Sequence, residues 1–521
     1  MRNSLLLCLA LISLFFTSCR KDFEFETNPG GLLFSKDTVY LDTVFTNIGS
    51  STYTLKVYNK TNKDINIPSI KLAKGLNSKY RITVDGMIGN NNRIFENVEL
   101  LAKDSMYIFI ETTVDFVQAD PASFLYTDQI EFSNASPNVQ KVELVTLIQD
   151  AYFLYPKKFS DGTTETLPIG NDEIYGFLLD ENDPVNGNEL NWTNAKPYVI
   201  YGYGAVPSNK TLNIQAGTKV HFHNNSGLIV SNNASIKANG IPPINALNPL
   251  ENQIIFAGDR LEPFFENVPG QWGTIWFTQG SKENILNNII IKNATVGLLV
   301  SGNTNLTNPL ADITLNNVQI YNSSNSGILA RTGYITGSNV VINSAGQASL
   351  ACTYGGKYNF IHSTFNNTWQ SSKQVSVLLN NYIEGAIPET QQMVEANFKN
   401  CIIYGSNQLQ MLIDKKGTNL FNYNFNSCFI KFNNIDNQYT NNPLYQFLTD
   451  VVHYNSNIIA TNSSTLNPNF LNVPKNKLNI GANSAIKGLA NFSFSNGLND
   501  ILNNPRTNPS DIGAYNFVTF N

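Results

Sequence analysis

Hydrolysis of a glycosidic bond needs two carboxylates flanking it, one protonated and one ionised, so acidic residues are placed first. Between Ile285 and Ile480 they are Asp312, Glu384, Glu389, Glu395, Asp414, Asp436 and Asp450. None belongs to an Asp-Asp or Asp-x-x-Asp cluster, and the stretch between Asp312 and Glu384 holds no acid at all. A calcium-dependent lyase needs several carboxylates on neighbouring turns of chain to hold its metal, and that set is missing too. A metal-free lyase would use a cation as base. Arg331, Lys357 and His362 fall in the acid-free stretch, and Arg331 and Lys357 lie about one repeat apart, where they could stack on one face. The plainer reading makes the two cations solubilising charges and His362 a hydrogen-bonded turn residue. No catalytic residue is assigned.

Metal chemistry fares no better. Asp180, Asp183 and Glu189 form an acidic loop, but their spacing fails the calcium-loop template, which wants Gly at the sixth position. His221 and His223 alternate with Val220 and Phe222, so both imidazoles should point away from the core, yet no third ligand is near. Neither a metal nor a cofactor is expected. Cys401 and Cys428 take the same place in successive repeats and should stack, more simply as buried thiols than as a disulfide, while Cys352 has no evident partner. Trp369, Tyr354 and Tyr358 sit near turns and, with Arg331 and Lys357, are the candidates for a ligand-binding surface.

The elements that must position these residues are announced by a recurring phrase. It reads Leu286-Asn287-Asn288-Ile289-Ile290-Ile291, Leu315-Asn316-Asn317-Val318-Gln319-Ile320, Gly337-Ser338-Asn339-Val340-Val341-Ile342, His362-Ser363-Thr364-Phe365, Lys399-Asn400-Cys401-Ile402-Ile403 and Asn426-Ser427-Cys428-Phe429-Ile430. Aligned on the last small polar residue, the steps are 29, 22, 24, 37 and 27 residues. Short strands at such a period, without helical periodicity, predict a solenoid: one coil cannot bury its apolar row alone, so coils stack. The step of 37 is a coil plus an insertion around Asn381 to Gln391.

Residues 32–150 follow a different rule. Tyr53, Leu55 and Val57 share one strand face, as do Tyr80, Ile82 and Val84, then Met106, Ile108 and Ile110, then Val142 and Leu144. Period-two strands separated by turns such as Asp85-Gly86 predict an antiparallel sandwich, immunoglobulin-like but without a disulfide. Residues 151–210 are turn-rich and read as a connecting stretch leading into the coils, which occupy 211–521. At 521 residues there is room for two substantial cores. Net charge is −5 with only 14% of residues charged, so the basic face that nucleic acid requires is absent.

Met1-Arg2 and the apolar run Leu5 to Phe16 form an export signal too short to span a bilayer. The run ends in Phe16-Thr17-Ser18-Cys19, which resembles the lipobox of bacterial lipoproteins. That resemblance implies cleavage after residue 18, lipidation of Cys19 and membrane attachment through the lipid. The charged tract Arg20 to Glu26, within a tether at 20–31, is similar to the signals that carry Bacteroidetes-type lipoproteins to the outer face of the outer membrane. Further on, Gly217-Thr218, Asp259-Arg260, Gly270-Gln271-Trp272-Gly273, Ile291-Lys292-Asn293-Ala294 and Gly355 to Phe360 resemble right-handed parallel β-helix proteins of the pectin-lyase-like fold. The closing phrases Asn467-Pro468-Asn469-Phe470, Ser484-Ala485-Ile486 and Asp511 to Tyr515 fit the same pattern. The resemblance implies an all-β chain, a sandwich followed by a β-helix, and a packing role for Trp272 and Trp276. It carries no catalytic motif. The expectation is a non-enzymatic surface lipoprotein that binds a polysaccharide or a neighbouring surface protein, with a polysaccharide lyase or glycoside hydrolase as the alternative.

Overall fold

A computed structural model describes residues 24–115, 123–136, 139–242, 250–302 and 306–520; Cys19 and its lipobox lie outside the described residues. The chain is almost wholly β and divides into two units, Met1–Asp150 and Ala151–Asn521.

In the first unit a six-stranded sheet faces a four-stranded one. The alternation read from sequence is what pairs them. Leu55, Val57, Tyr80, Ile82, Val84, Met106, Ile108 and Ile110 from the smaller sheet share one core with Val39, Ile67, Ile70, Ile130, Val142 and Leu144 from the larger. Tyr80 brings a hydroxyl into this core and satisfies it by donating to Thr146 Oγ1 at 2.9 Å or Tyr126 O at 3.0 Å. Most pairings are antiparallel, but the strand Thr38–Phe45 runs parallel to Gln140–Gln149.

Among the described residues of the second unit, a nineteen-stranded and a ten-stranded sheet are built by parallel pairing of each rung on the one before, save for an antiparallel hairpin at the start of the smaller. One inward column shows the register: Ile291, Ile320, Ile342, Phe365, Ile403, Ile430 and Ile459 are successive partners. Each such side chain, closed between two neighbours of its own kind, contributes roughly 1.5–3 kcal/mol of apolar burial. Stacking starts earlier than the sequence suggests. Tyr152–Leu154 already pairs with Tyr198–Ile200, which pairs with Lys219–Phe222, so residues 151–210 already contribute strands to the rungs. The strand Tyr198–Ile200 is buried on both faces and so shows no alternation to read.

A left-handed corner closes the first strand in six successive rungs. Asn288, Asn317, Asn339, His362, Asn400 and Ser427 all have φ between 47° and 56°. Asn and His are among the few residues that tolerate this region. His362, not Ser363, takes the corner, so the two affected steps are 23 and 38 residues, as the pairings Val341↔Thr364 and Thr364↔Ile402 require. Ser363 is buried instead, its Oγ accepting the Val340 N–H at 3.1 Å. Where corners are Asn, their amides ladder: Asn317 Nδ2 donates to Asn288 Oδ1 at 3.0 Å and Asn339 Nδ2 to Asn317 Oδ1 at 2.9 Å. The long step contains a hairpin, Tyr382–Ile383 against Glu389–Thr390, where the insertion was expected.

Beyond the corner, the outward side of the nineteen-stranded sheet is covered by the chain's own C-terminal segment. Leu478, Ile501, Ala514 and Tyr515 pack on Ile290, Tyr321 and Val341, and Ile480, Ile486 and Ile512 on Ile402, Phe429 and Ala460. Arg506 Nη2 donates to Asn339 Oδ1 at 3.0 Å, tying this strap to a corner.

Asn317→Ala should destabilise the second unit by about 2 kcal/mol, from left-handed backbone strain plus a broken amide ladder. Asn317→Gly, which keeps the backbone free, should cost about half as much. Equal losses in urea melts would mean that the corner conformation carries no weight.

Candidate functional site

Ahead of the corner, the same sheet presents an outward face of mainly polar side chains. Its strands alternate: Leu286, Leu315, Phe360 and Phe398 point into the core, and their neighbours point out. One outward column runs Thr314, Thr336, Asn359, Asn397, Asn424. The adjacent column runs Asn239, Asn287, Asn316, Ser338, Ile361, Lys399, Asn426. Amides bridge successive rungs. Asn287 Nδ2 donates to Asn239 Oδ1 and Asn316 Nδ2 to Asn287 Oδ1, both at 2.9 Å, and Asn397 Nδ2 to Asn359 Oδ1 at 2.8 Å. Asn287 and Asn316 spend one N–H each on a neighbour and keep another for a ligand, while Asn397 spends both, on Asn359 and Glu395, and offers its carbonyl. The face dips into a depression of about 390 Å³ lined by Asn316, Tyr334, Thr336, Asn359, Asn397 and Lys399.

Two of the charges here engage each other. Lys357 Nζ lies 3.1 Å from Glu395 Oε1 and 4.3 Å from the Tyr334 ring centre, and Asn397 Nδ2 donates to Glu395 Oε2 at 2.8 Å. Asp312, buried one rung before Tyr334, accepts the Tyr334 N–H at 2.9 Å, and burial raises its pKa above the usual carboxylate range. Asp312 and Glu395 stand three rungs apart, about 14 Å at ordinary strand spacing. A two-carboxylate hydrolase needs roughly 5–9.5 Å.

The predicted candidates scatter. Lys357 belongs to this face, whereas Arg331 is on the ten-stranded sheet, paired with Ser301 and Thr353. His362 is buried at its corner under the C-terminal strap. Its Nε2 accepts from Ser495 Oγ at 2.8 Å and Asn400 Nδ2 at 3.1 Å, and its Nδ1 faces Gly513 O at 3.3 Å. The three do not converge, which removes the metal-free lyase arrangement; one repeat of sequence separation crosses from one sheet to the other. Tyr358 is not a surface aromatic. It pairs with Ile335, points into the core and donates its hydroxyl to Gly355 O at 2.8 Å. The sequence places it near a turn, but the strand has already begun at Gly356. Tyr354 does occupy the turn, at φ 58°, with its hydroxyl 3.3 Å from Glu389 Oε2. Trp369 is half-buried beyond the strand Thr364–Asn367.

His221 and His223 both leave the core side, as expected, but they part company. His223 Nδ1 meets Asp259 Oδ2 at 2.7 Å, while His221 is buried over Gly258 and beside Lys292 and Phe265, its Nδ1 donating to Gly258 O at 2.9 Å. In the acidic loop, Asp180 and Asp183 cap local turns, and Glu189 accepts the Asp180 N–H at 3.0 Å. Cys401 and Cys428 are buried free thiols, as is Cys352. Trp272 is buried in the core, and Trp276 donates Nε1–H to Ser301 Oγ at 2.9 Å. The polar columns themselves were not singled out from sequence. Their signal was the Asn immediately before the corner in Asn287-Asn288, Asn316-Asn317 and Asn426-Ser427, at the outward step of the strand.

Burial pushes His221 down to about 4, and burial with the nearby Arg506 guanidinium pushes His362 down to about 3. Between pH 6.5 and about 4 the unfolded chain therefore binds protons that the folded chain refuses, and stability falls as pH falls. His362→Gln should shrink the drop in urea midpoint between pH 7 and pH 5. An unchanged drop would show that His362 is not held neutral.

No family model matches the chain, and no curated protein does. Among solved structures, partial similarity is found to the periplasmic chaperone SfaE, at 17% identity and TM-score 0.16, covering 22% of this chain and 57% of that one. The E. coli chaperone DraB is similar at 13% identity and TM-score 0.17, over 29% and 80% of the two chains. The major pilin subunit BcpA of Bacillus cereus is similar at 9% identity and TM-score 0.16, over 27% and 51%.

Proposed function

We propose that this chain is a non-enzymatic lipoprotein of the outer-membrane surface, anchored by lipid on Cys19 and facing the cell exterior. In this reading the first unit is an immunoglobulin-like spacer. The second is a right-handed parallel β-helix that holds an extended polysaccharide along its Thr and Asn columns. The observation that carries the reading is the unbroken run Thr314, Thr336, Asn359, Asn397, Asn424, five rungs of uncharged donors and acceptors. A sugar hydroxyl is itself both donor and acceptor, so it suits amides and hydroxyls better than fixed charges. The repeat of about 4.8 Å between rungs offers a polymer equivalent contacts along its length.

Protein beginning at Lys21 should be retained on one or more members of a panel of plant, algal and microbial polysaccharides, without new reducing or unsaturated ends. Asn359→Leu with Asn397→Leu should reduce that retention about tenfold or more, as buried polar ligand groups lose their partners. New chain ends would make the protein an enzyme, and no retention on any polymer would leave a neighbouring surface protein as the partner. The anchor is tested separately: Cys19→Ala should move the protein from the membrane fraction to the soluble fraction, and unchanged partition would remove the lipid.

A further inference from the structure

The ten-stranded sheet carries an outward row of the opposite character. Trp276, Leu299, Leu329, Ala351, Leu378 and Leu412 are successive partners. At its start the row is covered by the chain itself, where Leu167 of the hairpin Thr166–Leu178 packs on Ala205 and Ile229. Further along it is open. Ala351 stands between Leu329 and Leu378, and Ala348 stands between Ser326 and Val375, so a rung is short of side-chain volume. The result is a groove of about 690 Å³ with a floor of Leu329, Ala351, Leu378 and Leu412.

Its rim is positive. Arg331 lies two residues along from Leu329 on the same face, and Lys373 stands on the other flank; among the described residues neither cation has a carboxylate partner. The far wall is the inserted hairpin, where Glu384 is paired with Lys416 at 2.6 Å and the Tyr382 hydroxyl donates to Asp414 Oδ2 at 2.5 Å. An apolar floor cannot repay the desolvation of sugar hydroxyls, whereas it suits a hydrocarbon chain. From Leu329 to Leu412 the floor spans three rungs, about 14 Å.

We propose that this groove binds a fatty carboxylate, its head group on Arg331 and its acyl chain laid across Ala351, Leu378 and Leu412. The guanidinium fork matches a carboxylate bidentately, and Lys373 adds charge at the opposite flank. The site is distinct from the polar columns, which face out of the other sheet.

The test is calorimetric titration of protein beginning at Lys21, which keeps all described residues, with octanoate, decanoate and dodecanoate below micelle formation. Saturable one-to-one binding is expected, tightening about fourfold for each methylene that is fully buried. Ala351→Leu fills the depression and should weaken dodecanoate about tenfold or more. Arg331→Gln should weaken dodecanoate about tenfold at low salt and leave decanol unaffected. Polysaccharide retention should be the same in both variants. No saturable binding, or binding indifferent to either substitution, overturns the proposal.

Discussion

From Asn288 onward the second unit depends on one backbone constraint, a residue held at positive φ between the first and second strands of successive rungs. Asn288, Asn317, Asn339, His362, Asn400 and Ser427 satisfy it in register. The bend turns a single peptide segment into two strands of different outlook, and its repetition superimposes them rung on rung. Asn suits the position twice over. It tolerates the conformation, and its amide can bond to the Asn one rung below, so backbone strain and side-chain bonding act on the same atoms.

The two sides of this corner differ in what covers them. Before it, apolar and polar residues alternate, as in Leu286-Asn287 and Leu315-Asn316, because one face meets the core and the other meets water. After it, runs such as Ile289-Ile290-Ile291 have no polar face to show. Ile290 is buried by the C-terminal segment, not by the rungs. The strap at 466–520 thus explains why the second strand of each phrase is richer in apolar residues than a one-sided sheet needs. It also leaves the polar columns as the open surface of that sheet.

The chemical candidates show how linear spacing and spatial grouping come apart. Arg331 and Lys357 are separated by about one repeat, yet three strands make up a rung, and the interval carries the chain from the ten-stranded sheet to the nineteen-stranded one. His362 shares the strand phrase of its neighbours but is sealed by Ser495 and Gly513, more than a hundred residues downstream. Tyr358 and Tyr354 are four residues apart, and one fills the core while the other forms a turn. Two residues can share a motif and have no common surroundings.

By itself the sequence determined the β character of both units, the period-two faces of the first core, the stacking of phrases and the insertion in the long step. These follow from local rules, namely side-chain alternation, left-handed tolerance of Asn and the need of each short strand for a neighbour. It also showed the scarcity of carboxylates in the middle rungs. Only the tertiary structure decided that 151–210 already contribute strands to the rungs, that His362 rather than Ser363 turns the corner, and that polar and apolar columns occupy separate faces. Each of those depends on a partner far along the chain: Tyr198 on Tyr152, His362 on Ser495, Ala351 on Leu329 and Leu378. A local pattern states what a strand requires on each face, but which segment supplies it is settled when the rungs close on one another.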